Sequence, residues 1–181
     1  MADRRETRNP LLFLLLGRWM GHPLFPAVAH LPIAMWAGAL LFDVLNCLDV
    51  WPDGGTTNKG AYYLLLGGLA TLVVVLPAEL AEWSQFRRAS RAWTLAACQF
   101  LLNLVAAGLF LGSMLRRGSP SHILEGPVDT LALGLGAAGV VVLAVAAVLG
   151  GRLTYIYGMG TRGGVRHAQR PAGGTDLTEA K

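Results

Sequence analysis

Residues 130–150 read TLALGLGAAGVVVLAVAAVLG, a run of 21 residues without a charged side chain. At about 1.5 Å per residue, a helix of this length crosses the roughly 30 Å hydrocarbon core of a bilayer. Three more apolar blocks precede it, and the four predicted spans cover residues 26–48, 60–82, 92–115 and 128–150. The sequence therefore predicts an all-α integral membrane protein whose four helices form a bundle.

The composition supports this architecture and limits the function. Hydrophobic residues make up 54% of the chain and charged residues 14%, whereas soluble domains carry about 25% charge. The spans and their loops occupy residues 26–157, which leaves no room for a soluble catalytic module, so we expect no enzymatic activity. Residues 1–25 form a basic segment with room for a short interfacial helix, and residues 158–181 are predicted to be a disordered cytoplasmic tail.

The distribution of basic residues predicts the orientation. Twelve of the fifteen Lys and Arg residues lie in residues 1–25, 84–91 and 151–181, which fall on one side of the membrane. The three on the opposite side are Lys59, Arg116 and Arg117. Because cytoplasmic loops carry the excess of positive charge, both termini are predicted to be cytoplasmic. The net charge of +4 thus reflects topology, and we expect the lipid bilayer rather than nucleic acid as a partner.

The cysteines and the small residues concern packing. Cys47 and Cys98 should differ in depth by about 20 Å, too far for a disulfide, and we expect both to be buried as small apolar residues. Small residues four apart occur on three spans, at Ala34 and Gly38, Gly108 and Gly112, and Gly134 and Ala138. Such pairs let helices approach closely in lipid. We favour the interpretation that these small-residue pairs pack helices within the bundle, and the alternative is that they form a homodimer face.

Polar side chains within the spans are costly and need a reason. His30, Glu79, Gln99 and Asn103 all fall in the predicted cytoplasmic half of their helices. We expect them to face one another as a polar cluster that relays a proton or holds a ligand. The alternative is that they only stabilise helix packing, with Glu79 bonded to a nearby arginine and His30 to a backbone carbonyl.

Two further sets of residues could carry chemistry. His22 and His30 would approach each other if the Pro-rich segment between them folds back, and together they could ligate haem b or a metal ion. Asp43 and Asn46 lie one turn apart near the outer end of the first span, where we expect a solvated carboxylate or hydrogen bonds from Thr130. The sequence has no triad, phosphate loop or dinucleotide fingerprint.

The stretch GHPLFP at residues 21–26, followed by HLPI at residues 30–33, resembles the opening of an uncharacterised bacterial membrane family, a domain of unknown function with four predicted transmembrane helices. Its members typically open with GHPLHP and HFPI. The LLNL at residues 101–104 and the closing GGRLTYIYGMG at residues 150–160 are also similar to that family. The resemblance covers about residues 21–160 and implies a bacterial inner (plasma) membrane location.

The departures from that pattern affect histidines. Phe25, Gln99 and Tyr157 stand where the family often has histidine, so a haem or metal site that depended on those histidines would be incomplete here. Some members of the family are fused to Rieske iron–sulphur domains, which implies a respiratory or redox setting.

These observations predict an accessory or structural subunit of a membrane assembly, with other membrane subunits or further copies of the chain as partners and no cofactor. One alternative is a redox or proton-handling protein that binds haem or metal through His22 and His30. A weaker alternative is a small transporter or channel.

Overall fold

A computed structural model describes residues 10–17, 19, 21, 24–50, 54–88, 90–118 and 127–158. Within these ranges the chain is helical and contains no strand. The helices are α1 (Pro10–Leu15), α2 (Leu24–Val28), α3 (His30–Cys47), α4 (Gly54–Trp83), α5 (Arg91–Arg116) and α6 (Thr130–Tyr157). Four segments of the described chain are long and apolar enough to cross a membrane: α2 with α3, then α4, α5 and α6. The all-α, four-helix membrane architecture is thereby confirmed.

The four spans pack as two hairpins. α3 packs mainly on α4, α5 packs mainly on α6, and the hairpins meet along α4–α5 and α3–α6. We call the end that carries the connections 48–53 and 117–129 the two-loop end. The opposite end carries the connection 84–90, and we call it the one-loop end.

The first span differs from its predicted range of residues 26–48 because it is interrupted. α2 ends at Val28 and α3 begins at His30. Pro32 has no backbone N–H, so it cannot donate to the carbonyl of Val28 four residues earlier. The interruption at Ala29 therefore follows from the proline, and the span as a whole runs from Leu24 to Cys47.

The other spans are longer than predicted. α4 begins at Gly54 rather than at residue 60, and two residues of the added turns, Thr57 and Asn58, hydrogen-bond to other helices. α5 is longer by one residue at each end than its predicted range of residues 92–115. The Ser90 hydroxyl caps the start of α5 by accepting a hydrogen bond of 3.1 Å from Trp93 N. α6 begins two residues later than predicted and continues past the predicted end at residue 150 to Tyr157. It stops where Gly158 adopts φ 68°, a left-handed conformation that favours glycine.

A layer of two aromatic rings fills the middle of the bundle. Trp36 of α3 and Phe110 of α5 stack with ring centroids 4.3 Å apart. Glycines on the two other helices make room for them: a Cβ at Gly68 would overlap the Trp36 indole, and a Cβ at Gly139 would come 2.9 Å from Phe110 Cζ. We call Trp36 and Phe110 the aromatic layer. It separates the interior of the one-loop half from that of the two-loop half.

The outer surface of the spans is apolar. In the most apolar 18-residue stretch of each span, only 22–33% of the residues are buried inside the protein. Large side chains such as Val73, Leu101 and Val141 are exposed on the outer surface. Such a surface fits contact with acyl chains.

Two packing predictions need correction on this surface. Cys47 and Cys98 are free and exposed rather than buried, because both point away from the bundle. Of the predicted small-residue pairs, Gly38 and Gly112 do pack within the bundle, since a Cβ there would lie 3.2 Å from Leu64 Cδ1 and 3.4 Å from Leu135 Cδ1. Gly108 and Gly134 have no neighbouring atom within 4 Å of a Cβ position, so the prediction is wrong for these two glycines.

Candidate functional site

A buried carboxylate lies in the one-loop half of the bundle. Glu79 of α4 is 2% exposed, and its Oε1 accepts a hydrogen bond of 2.8 Å from Asn103 Nδ2 of α5. Gln99 is one turn before Asn103 on the same helix and is 6% exposed. We call Glu79, Gln99 and Asn103 the Glu79 cluster.

The Glu79 cluster borders a cavity of about 70 Å³ between all four spans. This volume exceeds the roughly 10–15 Å³ that one water molecule needs. Apolar residues supply the other walls, among them the aromatic Phe25 and Trp36 and, on α6, Leu143. The site is therefore a small, mostly apolar cavity with one carboxylate and two amides.

Several polar atoms of the cavity-lining residues are not satisfied by the protein. Glu79 Oε2, Gln99 Oε1 and Trp36 Nε1 are buried and have no hydrogen-bond partner among the described residues. A buried polar atom without a partner is costly, and the two unpartnered oxygens are both acceptors. The arrangement can therefore bind a group that donates hydrogen bonds.

The structure brings together three of the four residues of the predicted polar cluster and leaves out His30. The His30 ring is exposed, and its Nδ1 lies 2.9 Å from the carbonyl oxygen of Pro26. On α3 the cavity-lining residues are Ala29, Pro32, Ile33 and Trp36, which share one helical face, and His30 is about 100° away from Ala29 on the helix.

His22, the other half of the predicted haem or metal pair, lies outside the described residues, and so does the predicted tail beyond Gly158. Among residues that the structure describes, no three His, Cys, Asp or Glu side chains lie close enough to hold a metal ion.

The positions where the resemblance implies histidine are near this cavity. Phe25 and Gln99 both line it. Tyr157 packs against the apolar cluster that contains Phe25 at the one-loop end. Here the cavity wall consists of a phenyl ring and an amide at those positions, which makes it less suited to iron than histidine would be.

A second buried polar cluster lies at the two-loop end, and the sequence analysis missed it. Arg117 Nη2 donates to Asp43 Oδ2 at 2.5 Å, and Arg117 Nη1 donates to Asn58 Oδ1 at 3.3 Å. The side chains of Arg117 and Asp43 are 3% and 2% exposed. We call Asp43, Asn58 and Arg117 the Arg117 cluster. The prediction of a solvated Asp43 is wrong, because a buried arginine partners the carboxylate.

Hydrogen bonds around the Arg117 cluster join all four spans. Asn46 donates to Thr57 Oγ1 at 2.7 Å and accepts from Val128 N at 2.8 Å, so the expected partner Thr130 is replaced by the backbone just before α6. Ser113 Oγ of α5 donates to the carbonyl of Ala132 at 2.7 Å. An intramembrane Asp43 and the pair Arg116–Arg117 were the available sequence signals, since a buried carboxylate needs a partner.

The neighbouring Arg116 forms a different kind of ion pair. Its Nε lies 3.0 Å from Asp129 Oδ2, and the two side chains are 54% and 26% exposed. The hydrogen bond from Arg116 holds the pKa of the Asp129 carboxyl below its usual value.

Comparison with known protein families identifies the family of this chain. Residues 21–163 match the family described as "Predicted membrane protein (DUF2231)". Because this match covers well over half of the chain, the chain belongs to that family, and the expectation of an uncharacterised membrane domain is confirmed. No significant match to a curated protein or to a solved structure accompanies it.

Proposed function

We propose that this member of the membrane family is a non-enzymatic accessory subunit of a membrane assembly, and that its Glu79 cavity binds a small hydrogen-bond-donating group. The observation that carries the proposal is Glu79 itself. Its carboxylate is buried within a span, has one protein hydrogen bond and borders a cavity. Ionisable residues in such positions are expensive and mark functional sites by default.

Hydrogen bonding between helices alone explains the site less well. An interhelical hydrogen bond in a membrane contributes about 0.6 kcal/mol on average, and a neutral side chain could supply it without burying a carboxylate. The free acceptors of Glu79 and Gln99 within the described chain favour an additional donor.

The geometry favours a binding site over a conducting path. The Glu79 cluster and the Arg117 cluster lie in opposite halves of the bundle, with the stacked rings of Trp36 and Phe110 between them. The cavity presents carboxylate and amide groups, which suit a hydroxyl or water better than haem iron. We therefore propose that the cavity holds no resident cofactor. Haem or metal ligation by His22 and His30 stays the untested alternative prediction.

We also propose an inner-membrane location with both termini in the cytoplasm. Four arginines are exposed at the one-loop end, namely Arg87, Arg88, Arg91 and Arg152. At the two-loop end Arg117 is buried and paired with Asp43, so it adds less to the positive surface there than the sequence suggests. In a background with Cys47 and Cys98 replaced by alanine, a membrane-impermeant thiol reagent should label Lys59→Cys in intact cells and miss Arg88→Cys. The reverse labelling would contradict this orientation.

Native mass spectrometry of the complex released from membranes tests the proposed role. The wild-type chain should appear with partner subunits and with a small bound molecule, and Glu79→Gln should lose the small molecule while it keeps the subunits. Leu80→Ala is the matched control, because Leu80 is the next residue and is exposed to lipid. A chain that appears alone and without adduct, or an adduct that persists in Glu79→Gln, would contradict the proposal.

A further inference from the structure

We propose that the Glu79 cavity is reached from the bilayer, through the seam between α3 and α6, and that its ligand is a lipid-phase amphiphile with a small hydroxyl head. The inference rests on the proposed function, because it names the class of molecule that the same site takes. The bound molecule would place its hydroxyl at Glu79 and leave its apolar tail between the two helices.

The exposed part of the cavity wall identifies the opening. Most of the lining residues are buried or half-buried, whereas Ile33 of α3 and Ala147 of α6 are exposed. Ala29 and Leu143, which also line the cavity on these two helices, are half-buried. The α3–α6 contact is also the least extensive of those between neighbouring spans in the described structure. The cavity therefore opens at this seam, and we call Ile33 and Ala147 the portal.

The portal lies within the hydrocarbon region. Ile33 is nine residues from the start of the first span at Leu24, and Ala147 is ten residues from the end of α6 at Tyr157. At about 1.5 Å per residue, Ile33 is about 14 Å from the start of its span, and Ala147 is about 7–8 Å before Arg152, the exposed arginine of α6 at the one-loop end. A molecule that enters at this depth comes from among the acyl chains.

The chemistry of the cavity selects the head group. Its unpartnered oxygens, Glu79 Oε2 and Gln99 Oε1, need a donor, and the volume of about 70 Å³ accommodates only a small head. A neutral hydroxyl satisfies both conditions. An ammonium would also donate, but a charged group is costly to bring through hydrocarbon, so we infer a hydroxyl.

The apolar walls explain where the rest of the molecule lies. Phe25 and Trp36 border the cavity next to the polar groups, and Ile33 and Ala147 continue the apolar surface outward. A chain that leaves the cavity by this route contacts apolar side chains and then lipid. The tail thus needs no polar partner in the protein.

Two probes of nearly equal size and shape test the head group. 1-Decanol carries a hydroxyl, and methyl nonyl ether has the same number of heavy atoms and no donor. In lipid nanodiscs, 1-decanol at ten times its dissociation constant should raise the unfolding midpoint of the wild-type protein by about 3 °C, while the ether should raise it far less. Equal effects of the two probes would overturn the inference.

Two variants test the route and the acceptor. Ile33→Trp places a large ring at the portal and should abolish the difference between the probes. Leu31→Trp is its control, since Leu31 is also exposed on α3 and does not line the cavity. Glu79→Gln should reduce the response to 1-decanol, because it replaces one of the two carboxyl oxygens by an NH2 group that cannot accept a hydrogen bond.

The outcomes separate this inference from the proposed function. If 1-decanol stabilises Ile33→Trp as much as it stabilises the wild type, access through the seam is refuted. If 1-decanol has no specific effect but the native complex still loses a small molecule in Glu79→Gln, the site binds a ligand of another class and only this inference fails. If Glu79→Gln changes neither the small molecule seen by native mass spectrometry nor the stabilisation by 1-decanol, both the proposed function and this inference fail.

Discussion

The two buried polar clusters stand at opposite ends of the same bundle. Both keep buried atoms without a hydrogen-bond partner among the described residues, Asp43 Oδ1 and Arg117 Nε in one and Glu79 Oε2 and Gln99 Oε1 in the other. They differ in whether the protein supplies a counter-ion. In the Arg117 cluster the charges of Asp43 and Arg117 neutralise each other, and Asn58 adds a hydrogen bond. In the Glu79 cluster a single carboxylate has one amide partner and faces a cavity. The difference teaches that a charged residue within a span can fix helix packing when the protein supplies its counter-ion, and can bind something else when it has only a neutral partner and borders a cavity.

The surroundings of the clusters reinforce this contrast. The Arg117 cluster lies among residues that hydrogen-bond across all four spans, such as Asn46, Thr57 and Ser113. The Glu79 cluster lies beside half-buried apolar side chains and an opening at Ile33 and Ala147. These surroundings support the proposed binding role of the Glu79 cluster, and for the Arg117 cluster we propose a structural role.

The largest expected effect comes from breaking the buried ion pair. Arg117→Ala should lower the free energy of unfolding by about 3–5 kcal/mol, because it leaves the Asp43 carboxylate buried without its counter-ion. Arg116→Ala, one residue earlier, removes only an exposed pair and should have little effect. Unfolding in mixed micelles, followed by circular dichroism, measures both.

An apolar replacement of the whole pair sharpens this prediction. Asp43→Leu combined with Arg117→Met should restore most of the stability that either single substitution loses, since no buried charge remains. If Arg117→Ala and Arg116→Ala were equally mild, the structural role of the Arg117 cluster would be contradicted.

A smaller effect is expected at the other cluster. Asn103→Leu removes the hydrogen bond to Glu79 and should lower the free energy of unfolding by about 0.6–1.7 kcal/mol, between the average and the maximum for such bonds in membranes. Glu79→Gln should not lower it, because the amide keeps an oxygen for Asn103 and carries no charge. The same micelle titration measures these variants. If Glu79→Gln lowered the free energy of unfolding as much as Arg117→Ala does, the distinction between the two clusters would be contradicted.

The smallest effect concerns the exposed pair of Arg116 and Asp129. Because the pKa of Asp129 is lower in the folded protein than in the unfolded chain, the pair stabilises the fold above the unfolded pKa of roughly 4. That contribution is lost as the pH falls through the folded pKa. Asp129→Asn should therefore remove a small part of the decrease in unfolding temperature on acidification. If the unfolding temperature depends on pH in the same way in the wild type and in Asp129→Asn, the pair has no net effect on stability.

Much of the fold followed from the sequence, because span length and hydropathy depend on local composition. The positions of helix ends did not, since they depend on distant contacts. Gly54 to Lys59 is rich in turn residues, yet it is helical where Thr57 accepts from Asn46 of α3 and Asn58 accepts from Arg117, the residue just after α5. At residues 150–151 two glycines fail to end α6, and Gln99 packs closely against Gly150.

The candidate site was predicted in part for a similar reason. Gln99 and Asn103 are four residues apart, so their shared face could be read directly. Its depth in the membrane predicts that His30 joins the polar cluster. The direction in which a side chain points around the helix axis decides whether it faces inward, and depth does not fix that direction. Pairing Asp43 with Arg117 required knowledge of which helices are neighbours, and the two residues are 74 positions apart.

That separation of 74 positions has a consequence for biogenesis. At about 5–20 residues per second, the ribosome needs about 4–15 s after Asp43 to reach Arg117. During this interval the nascent first hairpin carries an acidic group in its interior with no guanidinium to meet it. The buried ion pair can therefore form only after α5 of the second hairpin has been synthesised, seconds after the first hairpin.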